Sequence, residues 1–161
     1  MGDDVVLDKA KGELRIFGKR HIAIDAQALC DQLDLMVGPK VAEVMINQHE
    51  VRLGKEDVIE MRAERPQATV RELVDLLISA DAASGMGITE VAIPQNPPGP
   101  IDLQISNPCM KRTSGAGKAL LFSYWCGALT ELLGTELKVN YVTYDESNDV
   151  LKCQFIPVSS D

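Results

Sequence analysis

The chain has 161 residues, with 24 acidic against 16 basic side chains, a net charge of −8 and a hydrophobic fraction of 45%. That size and composition fit one domain across residues 1–161 with its own core and exclude a disordered chain, while the negative field argues against a nucleic-acid partner. Aromatics make up only 4% of the residues, so the core must be largely aliphatic.

The opening stretch MGDDVVLDKA has neither the basic n-region nor the apolar h-region of a secretory signal. Val6 stands where an N-myristoylation motif wants Ser or Thr. Gly12 and Gly18 bracket a short strand over Glu13–Phe17, and Ile22 and Ile24 alternate as in a second. Asp25 is placed to cap a helix from Ala26 to Val37, ended by Gly38, with Leu29, Leu33, Met36 and Val37 on one face. Pro39 suits the first turn of the next helix, whose apolar positions are Val41, Val44, Met45 and Ile46. His49 lies late on it, on the side of Met45 and Leu53, and a separate helical piece covers Lys55–Arg62.

After Pro66, the sequence Thr69-Val-Arg-Glu72 forms a capping box. Val70, Leu73, Leu76, Leu77 and Ala80 follow at helical spacing, and Gly85 is the stop. Ile88–Pro94 alternates like a strand, the proline-rich IPQNPPGPI is a loop, and Ile101, Leu103 and Ile105 alternate again beyond it. Lys118–Leu133 is apolar on nearly every side and closed by Gly134, so a helix there should be wrapped by the rest of the domain. It is too short and too interrupted by polar residues to span a bilayer. Glu136–Tyr144 then reads as a strand with Leu137, Val139 and Tyr141 on one face. DESND is a turn, and Leu151–Pro157 returns with Leu151, Cys153 and Phe155 inward. Strands around one long helix, with further helices before it, make an α+β fold: a mostly antiparallel sheet packed against helices, with one long buried central helix.

Three groups of residues could carry chemistry. The four cysteines, Cys30, Cys109, Cys126 and Cys153, form no Cys-x-x-Cys pair, which fits reduced thiols in the cytoplasm. Cys126 and Cys153 would approach each other if the terminal hairpin lay on the central helix. Two thiols fall short of the four ligands of a structural zinc, and small buried hydrophobes are the plainer reading. The run Gly115-Ala-Gly-Lys118 fails as a phosphate loop because Arg112 and Ala119 occupy positions that need Gly and Ser or Thr. Amides at that glycine-rich start, with Lys118, could still hold a carboxylate or phosphate. Trp125, the single tryptophan, is either core or the wall of a pocket, and packing statistics favour core. No catalytic serine elbow is present, and His49 reads as a helix-end histidine.

The C-terminal third, Trp125-Cys-Gly-Ala-Leu-Thr-Glu-Leu-Leu-Gly134 and then Lys152-Cys-Gln-Phe-Ile-Pro157, resembles the 4-vinyl reductase domain family of hydrocarbon-binding proteins. Leu35-Met-Val-Gly38 and Ser106-Asn-Pro108 add to the likeness, which runs from about Leu14 to Val158. The resemblance implies an α+β ligand-binding fold, a homodimer, and kinship with transport-protein-particle (TRAPP) vesicle-tethering subunits and haem nitric-oxide sensors. It also implies zinc beside the pocket, held by three cysteines and a glutamate. Cys126 and Cys153 match the first and last cysteine; the intermediate positions hold Val142 and Asp145 or their neighbours. The expectation is therefore a stand-alone dimeric domain that binds or senses a small hydrophobic or aromatic molecule. Its pocket would be lined by Met45, His49, Phe122, Trp125 and Cys126. A TRAPP-type protein–protein adaptor is the competing class, and an enzyme acting on a tetrapyrrole vinyl group ranks third, since no hydride-carrier motif is visible.

Overall fold

The computed structural model describes residues 5–8, 13–16, 19–21, 25–94 and 99–158. Strands β1 (Val5–Asp8), β2 (Glu13–Ile16) and β3 (Lys19–His21) form a small antiparallel sheet in sequence order. The strand expected at Ile22 and Ile24 lies outside the described residues, and β1 had no counterpart in the sequence reading. Four helices follow: α1 (Ala26–Val37), α2 (Pro39–Glu64), α3 (Val70–Ser84) and α4 (Gly115–Leu133). The second sheet contains β4 (Ile88–Ala92), β5 (Ile101–Ser106), β6 (Leu137–Asp145) and β7 (Val150–Pro157) in the order β4-β5-β7-β6, every pair antiparallel. The fold is α+β.

Helix ends follow from short-range chemistry. Asp25 accepts from the Ala28 amide at 2.9 Å to start α1. Thr69 and Glu72 complete a reciprocal capping box on α3, and Gly85 and Gly134 end α3 and α4 in the left-handed conformation. The inward pairs across the larger sheet are Ile101 with Phe155, Leu103 with Cys153 and Ile105 with Leu151, all buried. Against them lies α4, with Leu121, Phe122, Trp125 and Leu129 buried, and α3 adds Leu73, Val74 and Leu77. Each such side chain contributes about 1.5–3 kcal/mol by leaving water.

Helix α2 departs from expectation. The piece read at Lys55–Arg62 is the second half of one 26-residue helix that passes through Gly54 without a break. Contacts advance together along α2 and α4: Glu43 to Lys118, Asn47 to Ser123, Asp57 to Tyr124 and Arg62 to the Leu132 carbonyl. The two helices therefore run parallel. Gly54 and Gly127 are the points of closest approach. A Cβ on Gly54 would enter the Tyr124 carbonyl and the Ala128 amide, and one on Gly127 would enter the Val51 carbonyl. Gly54 is a packing surface, and tertiary contact outweighs its weak helix propensity.

Two other faces differ from the sequence reading. On α1 it is Cys30 that is buried and Leu33 that packs beside the core, whereas Leu29, Met36 and Val37 are exposed. The side of α1 that meets α4 carries Cys30, Leu33 and Asp34, which share a face at helical spacing. On β6, a bulge between Val139 and Tyr141 inserts a residue, so Tyr141 pairs with the outward Gln154 and Val142 with the buried Cys153. Tyr141 thus leaves the face shared by Leu137 and Val139 and points outward.

Candidate functional site

The start of α4 fixes the chemistry of one end of the site. Ser114 makes no side-chain cap, so the first amides of α4 need other acceptors. They find them on other helices: Asp34 of α1 accepts from the Ala116 amide at 2.9 Å, and Glu43 of α2 accepts from the Gly115 amide at 3.1 Å. Lys118 then pairs with Glu43 at 2.6 Å. The carboxylate expected at this glycine-rich start is the chain's own. Carboxylates at a helix N-terminus complement the positive end of its dipole and tie α1 and α2 to α4.

Beside this knot, a cleft of about 640 Å³ opens between α2, α4 and β6. From α2 come Lys40, Glu43, Val44, Asn47, Gln48 and Val51; this spacing of three and four places them on one helical face. From α4 come Lys118, Ala119, Phe122, Ser123 and Cys126, from the start of β6 Leu137, Lys138 and Val139, and from just before it Glu136. The lining is mixed, with Val44, Val51 and Val139 as its accessible apolar part and Lys40, Glu43, Lys118, Glu136 and Lys138 as its charged part. Ser123 donates to Asn47 Oδ1 at 2.7 Å, so its hydroxyl is committed to the α2–α4 seam.

Phe122 and Cys126, four residues apart on α4, both border the cleft, but from buried positions behind its surface. Met45 and His49 do not: on α2 they fall off the face that carries Val44 and Val51, and both are exposed, His49 with 57% of its side chain in solvent. Trp125 also turns away from the cleft. It is 1% exposed, and its Nε1 donates to Asp81 of α3 at 2.7 Å; the same carboxylate oxygen accepts from Thr89 of β4 at 2.8 Å. Burial pushes the Asp81 pKa up, opposed by these two hydrogen bonds. The indole is core with a satisfied polar edge.

Cys126 of α4 and Cys153 of β7 both belong to the buried core. Burial first, and Glu136 second, push the Cys126 thiol up to about 11, and its Sγ lies 3.3 Å from the Leu137 carbonyl as a donor. Burial pushes Cys153 up as well. Among the described residues no group of three or more His, Cys, Asp or Glu is placed to hold a metal ion. A donor set of two buried thiols, one already bonded to a carbonyl, does not fit zinc with three cysteines and a glutamate. No helix among the described residues is long and apolar enough to cross a membrane.

The residues missed by sequence reasoning are those of α2 and β6, above all Lys40, Val44, Lys138 and Val139. The period of the α2 face was one available signal, and the terminal hairpin laid on the central helix, considered for Cys126 and Cys153, was another.

Among solved structures, the phenol-responsive sensory domain of the transcription activator PoxR, determined with phenol, matches with a TM-score of 0.74 at 11% identity, over 96% of this chain and 85% of that one. A vinyl-4-reductase family protein from Methanocaldococcus jannaschii matches with a TM-score of 0.54 at 18% identity, over 88% of this chain and 85% of that one. The chain has the vinyl-4-reductase fold. No family model and no curated protein matches the sequence. Identities this low speak to the fold alone. Within the vinyl-4-reductase fold of this chain, the cleft is bounded by α2, α4 and β6.

Proposed function

We propose that the chain is a binding domain for a small hydrophobic or aromatic molecule held in the cleft between α2, α4 and β6. The observation that carries this reading is a space of about 640 Å³, inside the size range of small-molecule sites, whose accessible apolar wall is Val44, Val51 and Val139 with Phe122, Cys126 and Leu137 buried behind it. The fold shared with a phenol-responsive sensory domain supports the same class of ligand. Phe122 and Cys126 are retained as binding residues, and Val44 and Val139 join them in place of Met45, His49 and Trp125.

The test is calorimetry with 4-ethylphenol on the wild-type chain and on Val139→Trp. Val139 lines the cleft from the edge of the core, so an indole there takes up cleft space. Binding to the wild type that is lost in the variant, with cooperative unfolding retained, is the expected result. Equal binding by both chains would remove the cleft from the account.

The second part of the proposal is a homodimer. Leu35 and Met36 are 80% and 70% exposed, and Val41, Val44 and Met45 are each more than half exposed around the Gly38 corner between α1 and α2. Large apolar side chains gathered in this way mark interaction surfaces, and a second copy of the chain would cover the face symmetrically. The same face favours the adaptor reading if the partner is a different chain. Ligand titration separates the two, since an adaptor has no need of the cleft.

A further inference from the structure

We infer that the cleft selects amphiphiles that carry an ionised acid group on an apolar body; this rests on the cleft reading above and adds the charge of its ligand. Two carboxylates, Glu43 and Glu136, and three lysines, Lys40, Lys118 and Lys138, line the cleft. Both carboxylates are already neutralised. Glu43 takes Lys118 Nζ at 2.6 Å on one oxygen and the Gly115 amide at 3.1 Å on the other. Glu136 accepts from Lys55 Nζ at 3.1 and 3.2 Å, and Lys55 comes from outside the cleft lining. Lys40 and Lys138 are left, paired with no carboxylate among the described residues. They stand on separate walls, Lys40 in the first turn of α2 and Lys138 on β6.

In a chain of net charge −8, such a local excess of positive charge runs against the composition. An anion entering the cleft meets two ammonium groups whose charge no neighbouring carboxylate cancels. The apolar wall of Val44, Val51 and Val139 offers nothing to a bare anion such as phosphate, and a neutral hydrocarbon gains nothing from the lysines. A molecule with a carboxylate at one end and an aryl or alkyl body at the other uses both.

Calorimetry on matched pairs tests this: 4-butylbenzoate against 4-butylbenzyl alcohol, and decanoate against 1-decanol, with inorganic phosphate as the bare anion. The wild type should bind the acid of either pair about fivefold or more tightly than its alcohol, with the margin shrinking as salt is added. The tighter of the two series tells an aryl from an alkyl body. In the double variant Lys40→Gln, Lys138→Gln the acid should bind no better than the alcohol, while alcohol binding persists. An alcohol that matches its acid on the wild type, an acid preference that survives in the double variant, or phosphate binding as tightly as the acids overturns the inference. The cleft reading survives those results if alcohol binding is still lost in Val139→Trp. Both fall if neither acids nor alcohols bind.

Discussion

Asp81 holds three elements through one carboxylate oxygen, with the Trp125 Nε1 of α4 at 2.7 Å and the Thr89 hydroxyl of β4 at 2.8 Å. Truncation to Ala should cost about 1–3 kcal/mol, because both donors would be left buried without an acceptor. Asp81→Asn keeps an oxygen in place and removes the buried charge. Burial raises the folded-state pKa of Asp81 above its unfolded value. The stability linked to its protonation is therefore complete below the ordinary carboxylate range and is lost as pH rises through the raised value. Chemical denaturation from about pH 4 to pH 7 should show Asp81→Asn gaining on the wild type as pH rises. A constant difference across that range would mean that Asp81 stays charged at no cost. Trp125 was readable from sequence only as core or pocket wall, because the acceptor that decides between them sits 44 positions away.

At the scale of elements, the seam between α2 and α4 turns on two glycines. Helix propensity alone says that Gly54→Ala stabilises by about 1 kcal/mol. Backbone contact with Tyr124 and Ala128 says the opposite, a loss of about 3 kcal/mol, since a carbonyl on a neighbouring helix cannot step aside as a side chain can. Thermal or urea unfolding reads the sign directly, and Gly127→Ala should behave alike through Val51. The helices announced by local chemistry were legible: Asp25 and Gly38 around α1, the Thr69–Glu72 box and Gly85 around α3, and Gly134 after α4. Features made by contact between distant segments were not. Gly54 looks like a break until the neighbouring helix is seen, and Tyr141 keeps its place in an alternating pattern until the bulge shifts it by one. The helix-start anion site was visible as donors, but its acceptors, Asp34 and Glu43, lie more than 70 residues upstream.

For the whole molecule, the exposed apolar corner of α1 and α2 and the cleft meet at Val44, which belongs to both. Replacing Val41 and Met45 together by Asp should shift sedimentation from dimer to monomer and leave thermal unfolding of the chain in place, because neither side chain is core. An unchanged sedimentation coefficient would assign the corner to something other than a second copy. The central claim is that a ligand enters between α2, α4 and β6. Methyl-resolved NMR during titration with 4-ethylphenol tests it most directly. Val44, Val51, Ala119, Leu137 and Val139 should shift in a saturable way while Leu73, Leu77 and Val74 on α3 stay still. Shifts centred on the α3 methyls, or no saturable shift anywhere, would contradict it.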